Sequence, residues 1–335
     1  MTGSEIKRMK RKSEQTKEAW RSAVGKTLFH FKENREDGKK RPTAPEVLGA
    51  KSGGRGAFNT EQSGAARGKR CASVASPEIR YYTDERRDDL SDIERRSIRI
   101  DGSYRYLHKS LLWRLAEFLV YRVIMTPIAA LWCRLKYRVR IVGREKLRAC
   151  GRFGCFLYGN HTLMDGDAFL PTLCCFPKKT AVVVSPDNLA VPLTRRWIEL
   201  CGAIPVPTEP SGTRPFLNAL EKHTLLGHAV AVYPEAHAWP YCSFIRDYPS
   251  DAFRYPVRFS MPSYAMTVVH RKPRGRRRHP DVTVYVDGPF YPDSTLSDRA
   301  QAQELRDRIH AVMVSHAKES DLDRIRYVRR EEGKA

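Results

Sequence analysis

Acidic residues are scarce in this 335-residue chain, 38 against 60 Lys and Arg, and the net charge is +22. Such a balance excludes an acidic solvating protein and points to anionic partners, nucleic acid and lipid surfaces alike. Residues 1–100 hold 24 basic and 15 acidic side chains, +9, which leaves +13 for residues 101–335, so the basicity is not confined to a tail. Residues 2–20 contain no apolar core of signal-peptide length, which predicts that the working part of the chain stays on the cytoplasmic side. A disulfide scaffold is not expected either, because the eight cysteines follow no pattern. Zinc-type spacing is missing as well: Cys174 and Cys175 are adjacent rather than CxxC, and no HxxxH accompanies them, so no metal is predicted. There is no GxSxG, which removes the usual serine-hydrolase elbow.

What is present begins with an apolar stretch, Leu111 to Tyr137, interrupted by Arg114, Glu117 and Arg122 and free of charge only from Val123 to Cys133. Crossing the hydrocarbon takes about 20 residues, so these eleven predict an interfacial helix or helical hairpin instead. Trp113, Tyr121, Trp132 and Tyr137 offer ring anchors, Pro127 invites a kink, and Arg134, Lys136, Arg138 and Arg140 would meet anionic lipid. A buried core helix is the competing reading.

Residues 1–100 lack apolar periodicity and are predicted to be a mostly disordered basic tail. Residues 101–137 are the membrane-associated segment and 138–335 an α/β domain. Strand-like runs recur there at 139–142, 153–158, 181–184, 203–206, 229–233, 264–269 and 282–286. Helical stretches at 193–200, 215–226 and 297–318 alternate with them, which predicts a mixed, mostly parallel sheet flanked by helices. The basic turn 271–278 joins two of these strands and reads as solvated, or as a second membrane contact.

Two strands end in clusters of chemically capable residues. YGNHTLMDGDAF, Tyr158 to Phe169, runs a strand into His161, followed by Asp165 and Asp167. A neutral imidazole can take the proton of an attacking alcohol, and a carboxylate can hold the ring, as in a Ser-His-Asp triad with the substrate supplying the hydroxyl. A satisfied surface pair or half a metal site would look the same. Some seventy residues on, HAVAVYPEAHAWPY runs a second strand into Glu235 and His237. Residues distant in sequence meet beyond the carboxyl ends of parallel strands.

These blocks resemble the lysophospholipid or 1-acylglycerol-3-phosphate acyltransferases, in a divergent bacterial branch, over about Tyr137 to Gly288. Asn160 and His161 match the family's Asn-His, and Pro234 and Glu235 its Pro-Glu-Gly-Thr-Arg. Gly166 stands where the family has Asp, with Asp165 one residue early and Asp167 one late, while Ala236, His237 and Ala238 replace Gly-Thr-Arg. The branch in which Gly-Asp precedes Ala-Phe favours Asp167; the residues alone do not choose between the acids. The resemblance implies a glycerolipid acyltransferase-like fold and a donor of acyl-CoA or acyl-carrier protein without a cofactor. It also implies a lysophospholipid acceptor, with His161 as general base, Asp167 or Asp165 as its acid and Glu235 positioning the acceptor. Asn160 belongs to the binding loop, where backbone amides around Asn160 to Thr162 are candidate oxyanion donors.

The acceptor's phosphate needs cations, yet no Arg follows the strand at 203–206. Candidates are Lys178, Lys179, Arg214, Arg246 and Arg254, with the last two foremost, and His237 as a donor to Glu235, to the phosphate, or packed beneath Trp239. Another lipid or glycolipid acceptor is the first alternative. A basic nucleic-acid-binding protein is the alternative of another class, but it explains neither strand-end cluster, so no nucleic acid is expected.

Overall fold

The computed structural model describes residues 77–91, 98–190, 192–275 and 277–330. The chain divides into Met1–Ser76 and Pro77–Ala335, and the first unit lies outside the described residues, as does most of the stretch read as a tail. Residues 77–91 and 98–100 of that stretch are described. Strand β1, Glu78–Tyr82, pairs in parallel with β9, Ile325–Arg329, in a two-stranded sheet that buries Tyr82 and Ile325.

The main sheet has seven strands: β2 (Arg140–Val142), β3 (Cys155–Gly159), β4 (Thr180–Val184), β5 (Ala203–Pro205), β6 (Ala229–Val232), β7 (Ser263–Arg271) and β8 (Asp281–Phe290). Their spatial order is β2-β8-β7-β3-β6-β4-β5, parallel throughout except at the β7/β8 hairpin. The sheet is therefore mixed and mostly parallel. Strands β3 and β6 are buried along their whole length, which accounts for their near-continuous apolar sequences, as expected of strands covered on both faces. Helices α2 (Leu170–Cys175), α3 (Pro192–Leu200), α4 (Thr213–Leu225), α5 (Arg254–Phe259) and α6 (Asp298–Ala317) complete the α/β layers. The two shortest were not evident in sequence, because six residues are too few to show a helical period.

Before the sheet runs one unbroken helix, α1, Leu111–Tyr137, rather than a hairpin. Pro127 lacks an N–H, and the ladder widens to a π-helix over Leu119–Met125 just ahead of it. The Thr126 hydroxyl donates to the Tyr121 carbonyl at 2.6 Å, so the chain passes the proline without turning back. At 27 residues α1 is long and apolar enough by length and composition to cross a bilayer, an alternative to lying in its surface. Ala129, Cys133 and Tyr137 form a narrow buried stripe at helical spacing, whereas Leu111, Leu112, Leu115, Phe118, Leu131 and Leu135 are exposed. A core helix would bury most of these, so the buried-core reading fails. Residues 101–110 are not part of the helix. They lie on the domain, with the Tyr104 hydroxyl donating to Glu199 at 2.7 Å and that of Tyr106 to the Pro205 carbonyl at 3.0 Å.

Candidate active site

Parallel pairing of β3 with β6 sets Tyr158 opposite Val232, and the same offset of 74 residues puts His161 opposite Glu235. The two clusters are therefore neighbours by register. Beyond the last strand residue, Glu235 Oε2 accepts from the His161 backbone N–H at 2.9 Å. The loops then pair with one another, Trp239 N–H donating to the His161 carbonyl at 3.0 Å and Tyr241 N–H to that of Thr162 at 2.8 Å.

On the other side of β3 the Asn160 side chain replaces a strand residue. Its Nδ2 donates to the Val268 carbonyl at 3.0 Å and its Oδ1 accepts from the Val268 N–H at 2.8 Å. Both ends of this buried amide bond β7, so Asn160 fixes the loop's departure from the sheet. Thr162 is anchored next to it, 3.0 Å from Nε2 of the buried His270, whose imidazole burial pushes down to about 4.

His161 Nδ1 lies 2.6 Å from Asp167 Oδ2, which also accepts from the Leu163 N–H at 2.9 Å. Asp167 is 2 % exposed, and burial raises its carboxyl above the usual range against the lowering pull of His161 and the Leu163 amide. When it is ionised, Nδ1 carries the proton and donates. The Nε2 lone pair is then free, and Nε2 has no partner among the described residues although its side chain is 26 % exposed. Tyr233 closes the other side, its ring centroid 4.8 Å from the imidazole and its hydroxyl bonded to the Asp167 carbonyl at 2.5 Å.

Asp165 faces elsewhere and does not touch His161. It accepts from Lys136 and from the Tyr137 hydroxyl, which overcome the effect of burial and hold its carboxyl below the ordinary range. It thus ties the end of α1 to the loop that bears His161. Gly166, the position where the resembled family has Asp, is tightly packed: a Cβ there would stand 2.2 Å from Leu163 Cδ2, so a side chain requires that buried leucine to shift.

Glu235 and Arg246 form an ion pair at 2.9 Å with both side chains fully buried. Glu235 Oε1 accepts from the Arg246 N–H at 3.2 Å, so both carboxylate oxygens have partners within the protein. Arg246 is likewise no open phosphate ligand. Its guanidinium reaches the His237 carbonyl and lies 4.6 Å from the Trp239 ring centroid. His237 contributes backbone to this core, its N–H donating to the Glu235 carbonyl at 2.7 Å. Ala236, standing for the family's Gly, holds φ at +62°, the left-handed conformation that glycine adopts without cost.

A strap from the N-terminal side completes the support, and sequence reasoning missed it. Trp239 Nε1 donates to the Asp88 carbonyl at 3.0 Å, Asp247 N–H to Glu85 Oε2 at 3.1 Å, and Tyr82 packs 5.0 Å from the Trp239 ring. The remaining candidates fall outside the cluster. Arg254 pairs with Asp251 at 3.6 Å, Lys178 donates to the carbonyls of Gly151 and Phe153, Lys179 pairs with Glu117, and Arg214 is exposed on α4. Of the backbone donors expected for an oxyanion, the His161 N–H is already spent on Glu235.

No protein family profile matches the chain, and no curated protein does. Among solved structures it is similar to the 1-acyl-sn-glycerophosphate (LPA) acyltransferase PlsC from Thermotoga maritima. The two share 15% identity and a TM-score of 0.46 over 64% of this chain and 85% of that one.

Proposed function

We propose that the protein is an acyltransferase that moves an acyl group from acyl-CoA or acyl-carrier protein to the hydroxyl of a lysophospholipid such as 1-acylglycerol-3-phosphate, at the cytoplasmic face of a membrane. The observation that carries this reading is the 2.6 Å His161–Asp167 pair with Nε2 unbonded. In the reaction His161 Nε2 takes the acceptor hydroxyl's proton as its oxygen attacks the thioester carbonyl. The tetrahedral intermediate collapses with loss of the thiolate, which receives that proton and leaves as thiol. Asp167 holds the ring and stabilises the imidazolium while it exists. Glu235 and Arg246 act one step back, by fixing the His161 backbone. The exposed face of α1 supplies the lipid contact, and the basic residues at its end suit an anionic surface.

One observation favours a second acceptor class. Arg246 is buried, Lys178 is engaged by carbonyls, and no Arg directly follows β5, so none of these described residues offers the site an open cation for a phosphate. An acceptor lacking phosphate, such as a glycolipid, fits that chemistry. A labelled acyl donor offered with lyso-acceptors of both kinds distinguishes the two. Transfer that persists undiminished in His161→Ala defeats both readings. Flotation with anionic liposomes at low salt tests the lipid contact, which fails if the protein stays behind.

A further inference from the structure

Away from His161 the domain has a cavity of about 430 Å³, within the size range of small-molecule sites. Its walls carry four guanidinium groups, Arg86, Arg254, Arg299 and Arg306, against the two carboxylates Asp247 and Asp251. None of His161, Asp167 and Glu235 lines it.

The four arginines are not equally occupied. Asp247 bridges Arg86 and Arg306, so one carboxylate is shared by two cations. Arg306 also pairs with Asp307 at 2.8 Å, outside the lining. Asp251 approaches Arg254 at 3.6 Å, a distance beyond a good hydrogen bond. Arg299 has no ion pair with any described residue. It stands in the first turn of α6, the 20-residue helix Asp298–Ala317, where unpaired N–H groups add positive potential, partly offset by Asp298. Ser250 adds a neutral hydroxyl to the same walls, while the Gln303 amide there is held by Asp307 at 3.0 Å. Planar donors facing an open polar space suit a tetrahedral dianion, which guanidinium groups bind in a forked geometry.

We propose that this cavity binds a phosphate-bearing anion, a phosphomonoester or a diphosphate, gripped by Arg254 and Arg299 and backed by the Asp247-bridged pair. Arg254, expected from sequence to serve the acceptor of the His161 site, belongs to this second site instead. The inference does not depend on acyl transfer.

Inorganic pyrophosphate is the first probe, titrated calorimetrically into the full chain with ionic strength held constant by sodium chloride. The proposal expects saturable binding that weakens about tenfold for each of Arg254→Gln and Arg299→Gln, as loss of a charge-assisted bond implies. Asp251→Asn, which removes a competing anion, tightens it, while His161→Ala leaves it unchanged. Both arginines are on the surface of the cavity, and an unaltered melting temperature without ligand certifies the fold of each variant. Arg86 and Arg306 are left intact, because removing either breaks the bridge through Asp247 and changes the wall itself. Vesicles of phosphatidylcholine with and without phosphatidic acid then identify the source. Retention that depends on Arg254 and Arg299 means a lipid headgroup, and dependence seen only with the soluble probe means a free phosphorylated molecule. Absence of saturable binding, equal affinity in the arginine variants, or loss of binding in His161→Ala overturns the proposal.

Discussion

The loops that leave β3 and β6 lie side by side and use their polar residues in opposite ways. The first, 160–167, spends Asn160, Thr162 and Asp167 on orientation and leaves a single imidazole nitrogen unbonded. The second, 233–246, directs its charge inward, with Glu235 and Arg246 neutralising one another in full burial while the strap of residues 82–88 holds Trp239 and Arg246 from behind. Division of labour follows from electrostatics. A buried ion pair tolerates no loss of a partner and so makes a rigid backing, whereas a reactive group has to keep contact with substrate.

That contrast is most exposed at the acids of the first loop. Asp167→Asn is expected to lower the rate of the proposed acyl transfer by about 10⁴, the size of effect seen when a triad acid is made neutral, with the fold intact by circular dichroism. Asp165→Asn should leave the chemistry nearly untouched and loosen the end of α1, seen as faster backbone hydrogen exchange around Tyr137. An inactive Asp165→Asn beside an active Asp167→Asn would reverse their roles. In the second loop Glu235→Gln or Arg246→Met should each cost about 3–5 kcal/mol in denaturant unfolding, and the Glu235→Leu/Arg246→Met double variant should regain much of that. If Glu235→Gln abolished turnover with stability unchanged, Glu235 would be touching substrate and the contrast would be false.

Acid offers a third handle. His270 and His228 are pushed down to about 4 and His223 to about 3, by burial first in each case. These groups stay neutral in the fold while the unfolded chain protonates near 6.5, so the unfolded state binds more protons between those values. Stability should be full above pH 6.5 and fall as pH drops towards 4, and His270→Asn should flatten that slope in a pH series of thermal melts. The smallest effect belongs to Ala236, whose left-handed conformation costs roughly 1 kcal/mol that glycine avoids, so Ala236→Gly should raise the melting temperature slightly without changing the rate.

Much of the architecture was legible because period and length carry it. All seven strands of the sheet follow from apolar runs bounded by turn residues, and three of the six helices from their alternation with those runs. The choice between one helix and a hairpin over 111–137 was not, since a proline removes one donor locally while the π-turn and the Thr126 hydroxyl that compensate depend on the folded geometry. Strand β1 was invisible for a related reason: its partner lies more than 240 residues away, and nothing within five residues announces a long-range pairing. At the site, residue types marked the chemistry but not the direction of each charge. That Glu235 and Arg246 face one another, and that Arg254 faces another cavity, depend on how the segment 240–254 folds back, which neither spacing nor composition encodes.

Gly166 has a consequence for redesign. An aspartate placed at 166 would put its Cβ 2.2 Å from Leu163 Cδ2, so it fits only if that leucine side chain moves. Leu163 is buried, and trimming it leaves a hole beside the loop that carries His161. Shifting the acid from 167 to 166 is therefore a change of two positions together, the acid and the leucine packed against it.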